Sequence, residues 1–212
     1  MHRVLIPLLV LSFSSCLLAI DAGSNSACLA STSSACDAGA DVSDGGKRDG
    51  GLPAVMLLVD TSGSMNAPLM PSSPTCMNCS GNACPQTCPT RARVLTSGLD
   101  QFLQTQPGAA WLGLTTFPDG VASIGFMPSG CAPATAQTIA LTPTPSDSQS
   151  AVSAQTQLVL QAVRSFGTTV PFTGGTPTAP SLRYLATLPA LTATSRPAGV
   201  ILVTDGLANC NP

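Results

Sequence analysis

Three stretches of this chain are apolar without alternation. Residues 52–59 (LPAVMLLV) run up to Asp60, residues 110–117 (AWLGLTTF) up to Pro118, and residues 198–204 (AGVILVT) up to Asp205. Runs of this length, apolar on both faces, are characteristic of central strands in a parallel sheet covered above and below. A further strand, residues 121–127, is expected after the Pro118-Asp119-Gly120 turn. Between the strands the apolar period lengthens to that of a helix. Residues 91–106 place Val94, Leu95, Leu99, Phe102 and Leu103 on one face, and residues 150–166 do the same with Val152, Leu158, Leu160 and Val163. Residues 178–188 read as a third helix after the Gly/Pro loop 171–177. Strand, helix, strand pair, helices and strand in that order predict an α/β fold, a doubly wound, mostly parallel sheet with helices on both faces.

Upstream the pattern is different. Met1-His2-Arg3 and the apolar run 4–11 read as the start of a secretory signal over residues 1–20, too interrupted by Pro7 and serines to favour a spanning helix. Phe13-Ser14-Ser15-Cys16 resembles a bacterial lipobox, with Phe13 where Leu is usual. Cys16 is then either a lipidation site or a cysteine of the apolar run. Residues 21–51 hold almost nothing but small and polar side chains, which cannot offset the entropy of ordering, and read as a linker with a reach of roughly 30 Å. Asp37, Asp41, Asp44 and Asp49 lie in it without the alternating spacing of a calcium loop. The folded unit is expected over residues 52–212, with a Cys-rich insertion at 66–90.

Composition narrows the chemistry. Of 212 residues 44% are hydrophobic and only 8% charged; all ten acidic residues are Asp, Lys47 is the sole Lys, and His2 is the sole His. Once the leader is removed the chain has no His, so Ser-His-Asp and Cys-His relays and His-based zinc sites are excluded. The net charge of −2, about −3 without the leader, offers no basic stripe for nucleic acid. Setting Cys16 aside leaves eight cysteines, an even number suited to disulfides in an oxidising compartment, with about 105 pairings open. Cys28 and Cys36 are spaced to close a small local loop. Cys76, Cys79, Cys84 and Cys88 would suggest zinc or an iron–sulfur cluster in a cytosolic chain; in an exported one they read as disulfides pinning a surface loop.

Three polar segments stand where a strand or loop hands over to a helix. They are Asp60-Thr61-Ser62-Gly63-Ser64, Gly174-Gly175-Thr176-Pro177-Thr178 and Thr204-Asp205-Gly206. In open α/β sheets ligands collect at the carboxyl ends of strands, where the strand order reverses. Asp60, Ser62 and Ser64, alternating along an extended loop, can point one way. Thr176 and Asp205 add a third hydroxyl and a second carboxylate. Such an all-oxygen set suits Mg²⁺ or Mn²⁺ in a six-fold shell, and the neutral hydroxyls leave the ion seeking an acidic group from outside. The same residue types are also ordinary turn and N-cap residues.

The three motifs in this order resemble the von Willebrand factor type A (vWA) domain and its metal-ion-dependent adhesion site, over residues 52–206. The resemblance implies a vWA/Rossmann-like fold in which Asp60, Ser62 and Ser64 form the first metal loop, Thr176 supplies the hydroxyl of the second and Asp205 the carboxylate of the third. Thr204 and Gly206 match the motif without being ligands. It also implies a binding module, not an enzyme, whose protein partner offers an acidic side chain to the cation. The family's sheet continues beyond the T-D-G strand, so the fold is expected to be truncated after its fourth strand, with residues 200–203 an exposed apolar edge. Two other readings stand beside it. An aspartic-type hydrolase would use Asp60 and Asp205 as a proton-sharing pair, although Ser62 breaks the Asp-Thr-Gly spacing. Alternatively, the metal merely stabilises the fold. No nucleotide-binding Gly motif is present. The protein is expected to be exported to the cell envelope or beyond, touching membrane only through a lipid at Cys16.

Overall fold

The computed structural model describes residues 8–11, 51–77, 79, 84–119, 130–141, 148–193, 196–206 and 208–210, the first of these as backbone. Cys16, the Cys28/Cys36 pair, the linker and the expected strand 121–127 lie outside the described residues.

The elements in chain order are β1 (Leu8–Leu11), β2 (Ala54–Asp60), α1 (Arg91–Thr105), β3 (Trp111–Phe117), α2 (Gln149–Arg164), α3 (Thr178–Leu185), α4 (Pro189–Thr192) and β4 (Ala198–Val203). The sheet is open and parallel, with strand order β1-β4-β2-β3. β2 is central because its Met56, Leu57, Leu58 and Val59 are completely buried, which only a strand flanked on both sides and covered on both faces achieves. Alternation then sorts the core into two layers. Leu57 and Val59 join Leu112, Leu114 and Val203 beneath α1 and α2, whose Leu95, Leu99, Leu103, Val159 and Val163 face them. Met56 and Leu58 join Trp111, Phe117, Val200 and Leu202 against Leu185 of α3 and Leu191 of α4 on the other side. Truncating a Leu here to Ala removes a filled volume worth about 2–5 kcal/mol.

The long helices begin where their caps dictate. The Thr90 hydroxyl accepts from Arg93 N–H at the start of α1, and the Ser148 hydroxyl accepts from Ala151 N–H at the start of α2. The third expected helix, residues 178–188, ends early at Leu185, and a separate turn not foreseen from the sequence, α4, starts beyond it with Pro189 at its first position.

The β4 edge differs from expectation. It is not open, because Leu8–Leu11 pairs with it in parallel from Leu8 opposite Val200 to Leu11 opposite Val203. An apolar strand edge presents a row of unpaired N–H and C=O groups, and the apolar run near the N-terminus supplies a matching strand. That pairing belongs to a chain retaining its first residues. Cleavage of a leader would return the edge to solvent.

The connections decide where a site can form. From β2 the chain moves to β3 on one side, then passes back across β2 to β4 on the other. The strand order therefore reverses between β2 and β4, and their carboxyl ends lie side by side, Val59 opposite Val203. Residues 66–90 leave and rejoin this frame at one point. Leu69 N–H donates to Pro89 C=O, Arg91 N–H donates to Ala67 C=O, and Pro68 bridges Thr90, so the insertion is a closed excursion.

Candidate functional site

All three polar segments meet at the reversal point. Asp60 is the last residue of β2 and is completely buried. Its Oδ1 accepts from Ser62 N–H at 2.8 Å, and its Oδ2 accepts from the Thr204 hydroxyl at 2.6 Å, joining the first segment to the third. Gly206 N–H donates to Thr204 Oγ1 at 3.2 Å and tightens the turn after β4. The first and second segments are joined through backbone: Gly63 N–H donates to Gly174 C=O at 2.9 Å, and Thr173 N–H to Thr61 C=O at 2.9 Å.

The first segment is not the extended loop expected from its alternation. Ser62 is extended, but a 3-10 turn follows at Gly63–Asn66. The turn still brings the two hydroxyls together, with Ser62 Oγ 2.9 Å from Ser64 Oγ. In the second segment the glycines have steric work. Gly174 has φ +81°, and a Cβ there would lie 2.6 Å from Gly130 C=O; one on Gly175 would lie 2.3 Å from Cys210 Sγ. This close approach lets Asn209 Oδ1 accept from Thr176 N–H at 2.7 Å, while the Cys131–Cys210 disulfide holds the closing loop.

The hydroxyls do not serve as helix caps. Ser62 occupies the N-cap position of the 3-10 turn without a side-chain capping bond, and α3 is capped at Pro177, leaving Thr176 outside it. Thr176 is 1% exposed and the Asp205 side chain 3% exposed, yet Thr176 Oγ1 and Asp205 Oδ1 have no hydrogen-bond partner. A buried polar atom without a partner forfeits its water for nothing, at about 1–3 kcal/mol each. Both lie at positions singled out from the sequence. Asp205 Oδ2 is engaged, by Arg91 Nη1 at 2.6 Å.

Burial pushes the Asp60 carboxyl above its ordinary range. Hydrogen bonds from Ser62 and Thr204 pull it partly back, and the nearby charge of Asp205 adds to the rise. A site that disfavours its own carboxylate is one that an added positive charge would relieve. The arrangement thus offers oxygen donors only, from two carboxylates and three hydroxyls.

Asp60, at the end of β2, and Ser62, Ser64, Thr176 and Asp205, on the loops stitched to it, thus all lie at one end of the sheet. Three neighbours hold these residues in place, and sequence reasoning names only Thr204, as a non-ligand of its motif. Thr204 anchors Asp60, Asn209 holds the second segment, and Arg91 neutralises Asp205. The T-D-G motif pointed to the first, and nothing in the spacing pointed to the other two.

Beside the site, the insertion is cross-linked by Cys76–Cys88 and Cys79–Cys84. Arg93 clamps it onto α1, donating to the carbonyls of Cys84 at 3.0 Å, Cys88 at 2.7 Å and Pro85. The sulfurs of Cys76, Cys79 and Cys88 lie within 4.8 Å of one another, a grouping that suits a soft metal only when reduced to thiolates. Three disulfides among the described residues fit a chain exported to an oxidising compartment. No helix among the described residues is long and apolar enough to cross a membrane.

Compared with known proteins, the chain matches no family model, no curated protein and no solved structure.

Proposed function

We propose that this is an exported, metal-dependent protein-binding module of the vWA type, and not an enzyme. Asp60, Ser62, Ser64, Thr176 and Asp205 would hold Mg²⁺ or Mn²⁺, and a carboxylate of a partner protein would complete the shell. A hard divalent cation bound here supplies a positive charge for that carboxylate to bind. The observation that carries the reading is the pair of orphaned atoms. Thr176 Oγ1 and Asp205 Oδ1 are buried without partners on two loops that hydrogen bonds tie to Asp60. An oxygen-seeking cation satisfies both at once. The ordinary turn-and-cap account does not, since neither Ser62 nor Thr176 makes a capping bond.

The chain's own residues divide the work. Thr204 and Ser62 N–H fix both oxygens of Asp60, each of which keeps a lone pair. Gly174 and Gly175 let the second loop approach closely enough to deliver Thr176. The proton-sharing hydrolase fits less well, because the Asp205 carboxylate is paired with a guanidinium.

A titration of the oxidised chain with Mn²⁺, reading free ion by electron paramagnetic resonance, tests the site. One ion per chain is expected, lost in Asp60→Ala and Asp205→Ala. Water-proton relaxation by the bound Mn²⁺ should then fall when an Asp-bearing peptide displaces its water. Absence of binding at millimolar Mn²⁺ would overturn the reading.

A further inference from the structure

Arg91 brings a positive charge to a place where the proposed site would take up a cation. Its Nη1 is 2.6 Å from Asp205 Oδ2, and the carboxylate is almost fully buried while the Arg side chain is 32% exposed. A carboxylate this deep needs a counter-charge, and the guanidinium supplies it from the solvent edge. The Arg91 backbone is pinned: it opens α1, its N–H donates to Ala67 C=O, and the Cys76–Cys88 disulfide closes the insertion just before it. Its side chain is long and reaches water, so it can leave Asp205 without disturbing the helix.

We propose that Arg91 is a displaceable internal counter-cation. It holds Asp205 in the metal-free chain, competes with the divalent ion for that carboxylate, and on loading is released towards the acidic group of the ligand. This rests on the metal-site reading above. The charges give it a direction. Asp60 and Asp205 carry two negative charges when ionised, and Arg91 offsets one of them. A divalent ion then leaves the loaded site with one net positive charge, where without Arg91 it would be neutral. Arg91 therefore lowers cation affinity and raises the demand for an anionic ligand. It is a positioning residue, since it acts on the cation through Asp205.

The test is the Mn²⁺ affinity of the full oxidised chain and its Arg91→Gln and Arg91→Lys variants, with Asp60→Ala as the non-binding control. Removing one positive charge a few ångströms from a divalent ion, at near-aqueous screening, tightens binding on the order of tenfold. Arg91→Gln should show that gain, whereas Arg91→Lys, which keeps the charge, should stay close to wild type. In EDTA, Arg91→Gln should melt lower than wild type, and adding Asp205→Asn should remove most of the difference. A lower melt in EDTA with Mn²⁺ affinity equal to or weaker than wild type would mean a merely structural ion pair and would overturn the proposal. Wild-type binding lost in Asp60→Ala, with Arg91→Gln unchanged, defeats the Arg91 role alone. No Mn²⁺ binding by wild type defeats the metal reading and this inference with it.

Discussion

Replacing Thr176 by Val separates a ligand from a structural hydroxyl. The two side chains are nearly isosteric, so packing at this fully buried position is kept and only the hydroxyl is removed. In the metal-free chain that hydroxyl has no partner and caps no helix. Its removal therefore eliminates a desolvation penalty of about 1–3 kcal/mol instead of breaking a bond. For a chain of this size 1 kcal/mol corresponds to roughly 2–4 °C in melting temperature. Thr176→Val should thus melt a few degrees higher than wild type in EDTA. With saturating Mn²⁺ the order should reverse. At about 100 times its Kd the ion adds roughly 2.7 kcal/mol to wild type, and most of that gain should be missing in the variant. Circular dichroism melts of the oxidised proteins, with and without EDTA, read both effects. A variant less stable than wild type in EDTA would show that the hydroxyl has a structural partner. An undiminished Mn²⁺ shift would show that it is not a ligand. Either result refutes the reasoning.

Three further outcomes follow from the same contacts. Because burial raises the Asp60 carboxyl above its ordinary value of 3.8, the folded metal-free chain binds a proton more tightly than the unfolded one. Its stability should therefore fall as pH rises from about 3.8 through the raised folded value and then level off, and Asp60→Asn should remove that slope in urea titrations across pH. The Cys131–Cys210 disulfide spans 79 residues, so the double Ser variant should lose about 4–5 kcal/mol by chain entropy, measured by denaturant unfolding, whereas an unchanged midpoint would deny the cross-link its role. A chain beginning at Gly51 lacks the strand that covers β4 and should self-associate in light scattering more than the full chain; equal monodispersity would contradict the pairing.

Much of the frame could be read from the pattern because it depends on local periodicity. The unbroken apolar runs became β2, β3 and β4, and the helical spacings became α1 and α2 to within two residues. The polar segments were legible for a different reason. Each ends a strand or opens a turn, and parallel strands carry their ends to the same edge of the sheet. What escaped depends on contacts distant in sequence. Arg91 reaches Asp205 across 114 positions on a long side chain whose direction no spacing encodes. Cys131 meets Cys210 only because the loops that carry them both pack against Gly175, and counting cysteines leaves that pairing open. The 3-10 turn after Ser62 escaped because alternation of Asp, Ser and Ser describes an extended loop and a tight turn equally well. The strand along β4 was missed because the apolar run holding Leu8–Leu11 carries the pattern of a leader, and a leader and a parallel edge strand share the same composition.

The central claim is that Asp60, Ser62, Ser64, Thr176 and Asp205 form one working cation site. The most direct measurement is the melting temperature of the oxidised chain in Mg²⁺ or Mn²⁺, then in EDTA, beside Asp60→Ala. A cooperative melt raised by the ion, returned by EDTA and unmoved by the ion in the variant is the predicted result. A cooperative melt that ignores the ion in the wild-type chain would contradict the claim.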